Sequence, residues 1–372
     1  MAQPDYIVIG AGTVGVSLAY GLQKRGQSVY VVDGGARDFR AARANFGLVW
    51  VQGKGGNLPA YARWTADSAV LWPGFRDALE QSSGIGVDYQ KPGGLVLSLS
   101  EQALRDRRAM LEVIGGGALP EGVEMLDRGA LQARLPDAPL GPDVAGASYG
   151  ASDGHVNPLK LLAALQQGVL QLGGEILWDW PVLTLRTTDA GYELIGPEDA
   201  TLRAPKVIVA AGLATSGIVG PLGIDLPLRP QRGQLLVTER MAPMLPMPCS
   251  GLRQTADGTV MIGATHEDVG LDTGTTQASA TILAERALRI LPALSGARIV
   301  RQWSGLRVLS PDGGPLYTQP EAYPGLWTVS CHSGVTLAAV HAERLAEQIL
   351  AGALIGDTRH FSKDRFHVPT PA

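Results

Sequence analysis

The sequence predicts an α/β fold in which a domain opening on a strand–helix–strand unit interleaves with a second domain built on an antiparallel sheet. Three observations predict it. Residues 5–33 spell out one complete βαβ unit. An apolar, β-branched strand of the same kind returns far downstream at 206–212, and another at 325–330. Between them, the stretch 223–299 carries antiparallel signatures: strands at 234–238 and 260–264, and a hairpin turn at Ala256-Asp257-Gly258. A chain that shuttles in this way builds each domain from separate segments.

The first strand is Asp5-Tyr6-Ile7-Val8-Ile9, a short apolar run of buried type. It enters Gly10-Ala11-Gly12-Thr13-Val14-Gly15 and then a helix over 14–25, with Val14, Leu18 and Leu22 on one face and Ala19 for close packing. Gly26 ends the helix, and a second strand, 28–32, finishes at Asp33. The first glycine allows the sharp turn, the second lets a pyrophosphate touch the backbone, and the third lets helix and strand pack closely. The helix start offers unpaired N–H groups and a partial positive charge. Asp33, followed by Gly34, can accept both ribose hydroxyls of an adenosine and would repel a 2′-phosphate. The unit is therefore a Rossmann-type site for an adenine dinucleotide.

After Asp33 the alternation stops, whereas an NAD domain usually continues it. Residues 37–57 are rich in glycine and contain Arg43, Ala44, Asn45, Phe46, Gly47 and Leu48. A helix over 61–82, a strand over 93–99 and a charged helix over 101–114 follow. Proline-rich loops lead to Asp153-Gly154-His155-Val156-Asn157-Pro158, then an amphipathic helix over 159–172 and a strand at 174–178. At the carboxyl end a strong helix opens at Ser333-Gly334-Val335-Thr336, with Ala338, Ala342, Leu345 and Ile349 as its buried stripe.

Composition bounds the function. A length of 372 residues is too much for one small core and suits two. With 18% charged residues and a net charge of −4, there is no basic field for a nucleic acid. Forty-eight glycines point to tight turns and to close approach of backbone to a ligand. Cys249 and Cys331 lie far apart, which fits a reducing compartment. No signal peptide precedes the first motif and no apolar run reaches membrane-spanning length, so a soluble, cytoplasmic protein is expected. The six histidines form no HExxH and no Cys-x-x-Cys occurs, so no metal site is expected; the Gly-Ala-Thr of 263–265 lacks a nucleophile-elbow pattern.

Taken together, the amino-terminal fingerprint, the 153–158 and 207–212 segments, Leu228-Arg229-Pro230-Gln231-Arg232-Gly233-Gln234, Trp303-Ser304-Gly305-Leu306-Arg307 with Pro311-Asp312-Gly313-Gly314-Pro315, and His332-Ser333-Gly334-Val335-Thr336 resemble the glycine/D-amino-acid oxidase (DAO) family of FAD-dependent oxidoreductases. The resemblance covers nearly the whole chain. Within the family, 45–55 and 331–338 look most like the FAD-bearing subunits of hydrogen cyanide synthase, opine oxidase and D-hydroxyproline dehydrogenase.

The resemblance implies an FAD-binding domain from 1–85, 148–222 and 300–372, and a substrate domain from 86–147 and 223–299. It implies that Arg43, Ala44, Asn45, Phe46, Gly47 and Leu48 wrap the pyrophosphate and reach the flavin, that Val182 meets the adenine, and that Ala211 and Gly212 lie near the pyrophosphate. Ser333, Gly334, Val335 and Thr336 would meet the flavin, and Arg307 would bind a substrate carboxylate through its fork. Gln52, Lys54, His266 and His332 are further candidates for the pocket wall, each also readable as an ordinary polar residue. No cysteine lies near Gly305–Ser310, so FAD is expected to be non-covalent, and the aromatic carboxylate binders of simple D-amino-acid oxidases are not evident.

The implied reaction is oxidation of the C–N bond of a D-amino acid, cyclic imino acid or opine, with hydride transfer from Cα to flavin N5 and no obligatory acid–base residue. Electrons would pass to oxygen or to partner subunits. Two other readings stay open: a non-catalytic FAD-containing subunit of a larger electron-transfer complex, and an NAD-dependent dehydrogenase.

Overall fold

A computed structural model describes residues 3–35 and 41–366. Residues 37–40 of the glycine-rich segment lie outside the described residues. The central strand, Tyr6–Ile9, is apolar on both faces and buried along its length, as a strand covered on both sides must be. It pairs in parallel with Val29–Val32 on one side and Lys206–Val209 on the other. Glu175–Leu177 extends the first side and Leu326–Ser330 the second, both parallel; Leu316–Thr318 closes the edge antiparallel. The six-stranded sheet thus gathers strands from widely separated parts of the chain.

Side chains alternate across this sheet. Tyr6 and Val8 face a core with the helices Thr13–Gln23, Pro59–Ser83, Pro158–Gln171 and the carboxyl-terminal helical run. Ile7 and Ile9 face the other core, closed by a three-stranded antiparallel sheet of Thr184–Thr188, Gly191–Ile195 and Thr201–Ala204. The sequence pattern does not predict that small sheet. Another difference concerns Thr13–Gln23, which is buried on nearly every side instead of along one stripe, because it is sandwiched between the sheet and three helical neighbours.

The second body is antiparallel. Arg229–Arg240 pairs with Ile299–Leu309 from Arg229 opposite Leu309 to Thr238 opposite Ile299, and on its other edge with Thr259–Gly263, which pairs with Leu252–Gln254. The expected turn at Ala256-Asp257-Gly258 joins the last two, with Gly258 at φ 88°. A second ladder places Gly146–Gly150 between Gly94–Ser98 and Val123–Asp127. Leu95 stitches the two ladders together, its N–H donating to Pro248 and its carbonyl accepting from Ser250, at 3.0 and 2.7 Å. The helices Arg128–Arg134 and Gln277–Ile290 contribute Leu131, Leu283 and Ile290 to this body's own core.

One expected boundary shifts. Residues 300–309, assigned from sequence to the cofactor domain, form the long strand of the antiparallel sheet; the backbone ladder to Arg229–Arg240 holds them there. The last helix also begins later and less regularly than expected: turns at 334–337 precede Ala338–Val340, a π-type winding at His341–Leu345 and Ala346–Ala351. Its expected stripe of Ala338, Ala342, Leu345 and Ile349 is buried.

Candidate cofactor and substrate site

The fingerprint glycines do three different jobs. Gly10 has φ +110°, and a Cβ there would stand 2.5 Å from the Ala210 carbonyl oxygen. A Cβ on Gly15 would overlap the Gly10 carbonyl, so helix and strand can approach only without it. At Gly12 the nearest atom to an added Cβ is Ala42 Cβ at 3.8 Å, so the backbone there faces open space. The Thr13–Gln23 helix starts at Gly12 with no side-chain cap, and the buried Thr13 hydroxyl has no protein partner among the described residues. Uncapped N–H groups, an orphaned hydroxyl and an open glycine together make a donor set fitted to a pyrophosphate.

Asp33, the expected ribose acceptor, sits at the end of the second strand. Its carboxylate, 8% exposed, accepts from Ala11 N–H at 2.8 Å and Gly35 N–H at 2.9 Å, which fixes it against the first turn. Gly34 beside it is exposed. The Asp33 carbonyl accepts from Trp180 N–H, bringing the half-buried Val182 into the same neighbourhood. Ala211 and Gly212, φ +60°, follow the strand that neighbours Tyr6–Ile9, where Ala210 N–H donates to the Ile9 carbonyl at 2.8 Å.

Ala41–Ala44 is a short helix carrying an exposed Arg43 and a buried Ala44, whose carbonyl accepts from Trp303 Nε1 at 3.3 Å. Asn45 folds back, accepting from Gly47 N–H at 2.8 Å and donating to the Ala42 carbonyl at 3.0 Å. Phe46 is half-buried. Gly47, at φ +78°, lies so close to the Val156 carbonyl that a Cβ would collide with it. Leu48 then pairs with His155, so the 153–158 segment backs this strap.

The carboxyl-terminal turn meets both. A Cβ on Gly334 would lie 3.2 Å from Val14, beside the start of the first helix. Thr336 Oγ1 accepts from Trp50 N–H at 3.1 Å and donates to the Leu48 carbonyl at 3.3 Å, while its own carbonyl accepts from Ser68 and Trp72. Ser333 Oγ accepts from Tyr61 at 2.6 Å and from Lys54 Nζ at 2.9 Å. Val335 is buried beneath.

On the antiparallel sheet, Arg307 stands opposite Gln231, and His266 Nδ1 lies 3.1 Å from the Gln231 side-chain oxygen. The guanidinium lies over Gly233, where a Cβ would meet it at 2.7 Å, and donates to the Arg232 carbonyl at 3.2 Å. Burial holds Arg307 below the usual arginine range, with Glu267 opposing that shift. Glu267 is itself engaged by Arg232 at 2.7 Å. Among the described residues, no carboxylate pairs with Arg307 or Lys54. His332, exposed at its surface, is held below the usual imidazole range by desolvation, aided by Lys54, Arg307 and His266. Burial likewise lowers His266, with Arg307 and Arg286 contributing. Lys54, His266, Arg307 and His332 therefore share one electrostatic neighbourhood.

Gln52 does not join them. It is 4% exposed; its Nε2 donates to the Gly94 carbonyl and to Asp153, and its Oε1 accepts from Arg107 and Ser148. Asp153, fully buried, also accepts from Val51 N–H at 2.6 Å and Gln52 N–H at 3.2 Å; burial raises it to about 6 against these hydrogen bonds. Gln52 and Asp153 thus hold the loop that carries Lys54. Tyr61, which anchors Ser333, is missing from the sequence candidates because it sits in an ordinary helical pattern without a motif. Among the described residues no cluster of His, Cys, Asp or Glu is arranged to hold a metal ion, and no helix is long and apolar enough to cross a membrane.

Comparison with known proteins agrees with this geometry. The family described as "DAO: FAD dependent oxidoreductase" matches residues 5–348. One of the opine oxidase subunits of Agrobacterium tumefaciens is 41% identical over 370 residues, covering 99% of both chains. The HcnC subunit of hydrogen cyanide synthase from Pseudomonas protegens is 27% identical over 410 aligned residues, covering 97% of this chain and 96% of its own. The crystal structure of glycine oxidase from Geobacillus kaustophilus superposes with a TM-score of 0.90 at 22% identity, covering 99% of this chain and 100% of the other, and shows the shared fold. With a match along almost its whole length and a dinucleotide cradle of the right chemistry, the chain belongs to the DAO family of FAD-dependent oxidoreductases and takes FAD as its cofactor.

Proposed function

We propose that this protein oxidises the C–N bond of a small amino or imino acid, a D-amino acid, proline-like imino acid or opine. The observation that carries the reading is Arg307: a part-buried guanidinium without a carboxylate partner among the described residues, in the same electrostatic neighbourhood as the residue preceding the Ser333–Thr336 turn. A guanidinium fork in that setting is suited to a planar carboxylate. The 41% identity to a protein named as part of an opine oxidase supports the same class of donor.

The cofactor would be held without a covalent bond by Gly10, Gly12, Val14 and Gly15 at the pyrophosphate, Asp33 and Gly34 at the ribose, and Val182 at the adenine. Arg43 to Leu48, Ala211, Gly212 and Ser333 to Thr336 would hold the rest. When bound, FAD would supply a two-electron acceptor for the hydride of the substrate's Cα–H bond. Arg307 fixes the carboxylate and so sets where Cα stands. His332 and His266 are both held below the usual imidazole range by desolvation, with Arg307 contributing, and the Arg307 cation disfavours the protonated form of an amine bound beside it. The imine product takes up water and separates into a carbonyl compound and ammonia or an amine. The strand bearing Arg307 and the segment bearing His266, just after Thr259–Gly263, belong to the antiparallel body, which on this reading supplies the substrate side, while the six-stranded sheet supplies the cofactor side. The relatives named as subunits favour electron transfer to further subunits as a second outlet for the electrons.

An anaerobic absorbance titration of the flavin-loaded protein with D-amino acids, prolines and opines tests the reading. Bleaching of the flavin bands by one class establishes the donor, and admitting air then separates oxidase from dehydrogenase. A protein whose flavin is bleached by dithionite but by none of these compounds would refute it.

A further inference from the structure

We infer that His266 holds the nitrogen of the substrate by accepting its N–H at Nε2, and that Gln231 and Asp268 are positioning residues that fix the imidazole for this task. The inference rests on the reading of Arg307 as the carboxylate anchor. Strand pairing places the group. Side chains alternate along Ile299–Leu309, so Trp303 and Arg307 project from one face of the sheet. Trp303 reaches the cofactor strap from that face, its Nε1 donating to the Ala44 carbonyl at 3.3 Å. Gln231 stands directly opposite Arg307 in the ladder and shares the face. His266 is joined to it, with Nδ1 at 3.1 Å from Gln231 Oε1. Arg232, the next residue along, projects from the other face and keeps Glu267 and Asp272 on its guanidinium there.

The neighbours of His266 decide which ring nitrogen carries the proton. Asp268 accepts from Arg229 Nη1 at 2.8 Å, and a carboxylate can only accept. The Gln231 amide lies 3.4 Å from the same carboxylate oxygen, so its NH2 must face Asp268; the flipped amide would set two acceptor oxygens against each other. The amide oxygen is then the atom left for His266, and Nδ1 can bond it only as a donor. Burial, Arg307 and Arg286 hold this histidine below the usual imidazole range, against Asp268, so the ring is neutral near pH 7. A neutral ring with its proton on Nδ1 carries a lone pair on Nε2. Among the described residues nothing bonds that nitrogen, and the residue is exposed. An amino or imino acid seated by its carboxylate on Arg307 carries its nitrogen on the adjoining carbon. A fixed acceptor beside Arg307 takes one N–H of that nitrogen and so sets the direction of the Cα–H bond.

Matched ligands test this without turnover. Pyrrole-2-carboxylate and furan-2-carboxylate share shape and carboxylate, and differ by an N–H against a ring oxygen. Their binding to the flavin-loaded protein is read from shifts of the flavin bands at about pH 8, where the imidazole is neutral. The pyrrole is expected to bind about tenfold tighter, the scale of one hydrogen bond. In His266→Leu the two should bind within about twofold of each other. Gln231→Met frees the tautomer, so the ratio should fall to about threefold while the affinity for the furan stays put. A merely structural role for Gln231 would weaken both ligands alike. Imidazole nitrogen NMR shifts, assigned by their loss in His266→Leu, should place the wild-type proton on Nδ1. Equal affinities in the wild type, a ratio kept in His266→Leu, or a proton on Nε2 would overturn the inference. Arg307→Met separates it from the reading beneath. If the ligands bind equally and both weaken in Arg307→Met, the anchor stands and the His266 contact fails. If Arg307→Met leaves both affinities unchanged while the ratio holds, the anchor fails and the contact stands. No shift with either ligand overturns both.

Discussion

At the scale of single residues, the three fingerprint glycines separate fold from cofactor. Gly15→Val would force a side chain into the Gly10 carbonyl, and Gly10→Val would do the same at Ala210 in a φ region closed to branched residues. Both should abolish soluble expression. Gly12→Val meets nothing closer than Ala42, so the apoprotein should keep its circular dichroism while flavin content after FAD addition falls to background. Arg307 separates binding from folding in the same way. Arg307→Met should lower kcat/KM by about 100-fold through lost carboxylate binding, leaving the flavin spectrum intact. Stopped-flow flavin reduction over a range of substrate concentrations checks it, and a KM that does not rise would count against the assigned role.

Elements make two further expectations. Asp153 ties the loop behind Lys54 to the antiparallel body by accepting from two backbone N–H groups and the Gln52 amide. Asp153→Ala leaves these donors unpaired in a buried place and should cost about 3 kcal/mol, measured as a lower urea midpoint. The carboxyl-terminal helical run contains the fully buried His341, whose Nε2 lies 2.7 Å from the Tyr317 hydroxyl. Burial pushes this imidazole down to about 3, whereas in the unfolded chain it takes up a proton near the usual 6.5. The unfolded state therefore binds more protons between those values, and stability present above pH 6.5 is lost as the pH falls toward 3. By pH 5 this amounts to about 2 kcal/mol. His341→Gln keeps a partner for Tyr317 and should flatten the fall in urea midpoint between pH 7 and pH 5.

What could be read from the sequence follows a physical line. The βαβ unit was legible because each requirement, positive φ, close approach and an acid at a strand end, has a residue type that meets it locally. Arg307 and the 333–336 turn were singled out by resemblance alone. The 184–204 sheet was not, since Thr184–Thr188 is mostly exposed and polar and gives no alternation of apolar residues. Nor was the setting of Gln52, whose partners Gly94, Arg107, Ser148 and Asp153 lie 42 to 101 positions away. Tyr61 reaches Ser333 across 272 positions, a pairing that no local pattern encodes.

For the whole molecule, the proposed cradle draws on the first helix, the 41–50 strap and the 333–336 turn at once. FAD should therefore stabilise the protein as a unit rather than one domain. Stripping the cofactor should lower Tm, and restoring it at about a thousand times its Kd should return about 4 kcal/mol. Differential scanning calorimetry checks this: one transition that moves as a whole is expected, and a flavin-insensitive transition would contradict it.

The position of Tyr6–Ile9 also bears on how the chain matures on the ribosome. This strand emerges first, yet its neighbour Lys206–Val209 is made about 200 residues later and Leu326–Ser330 later still. Nascent chains hold the phosphate-binding loop long before anything can close over it. The amino-terminal unit must wait, half-covered, for nearly the entire polypeptide, since pairings this distant form late. On the proposed cradle, flavin capture would require synthesis past residue 336. A chain arrested before that point would carry the fingerprint without retaining the cofactor, and quality control could tell the two apart by exposed apolar sheet alone.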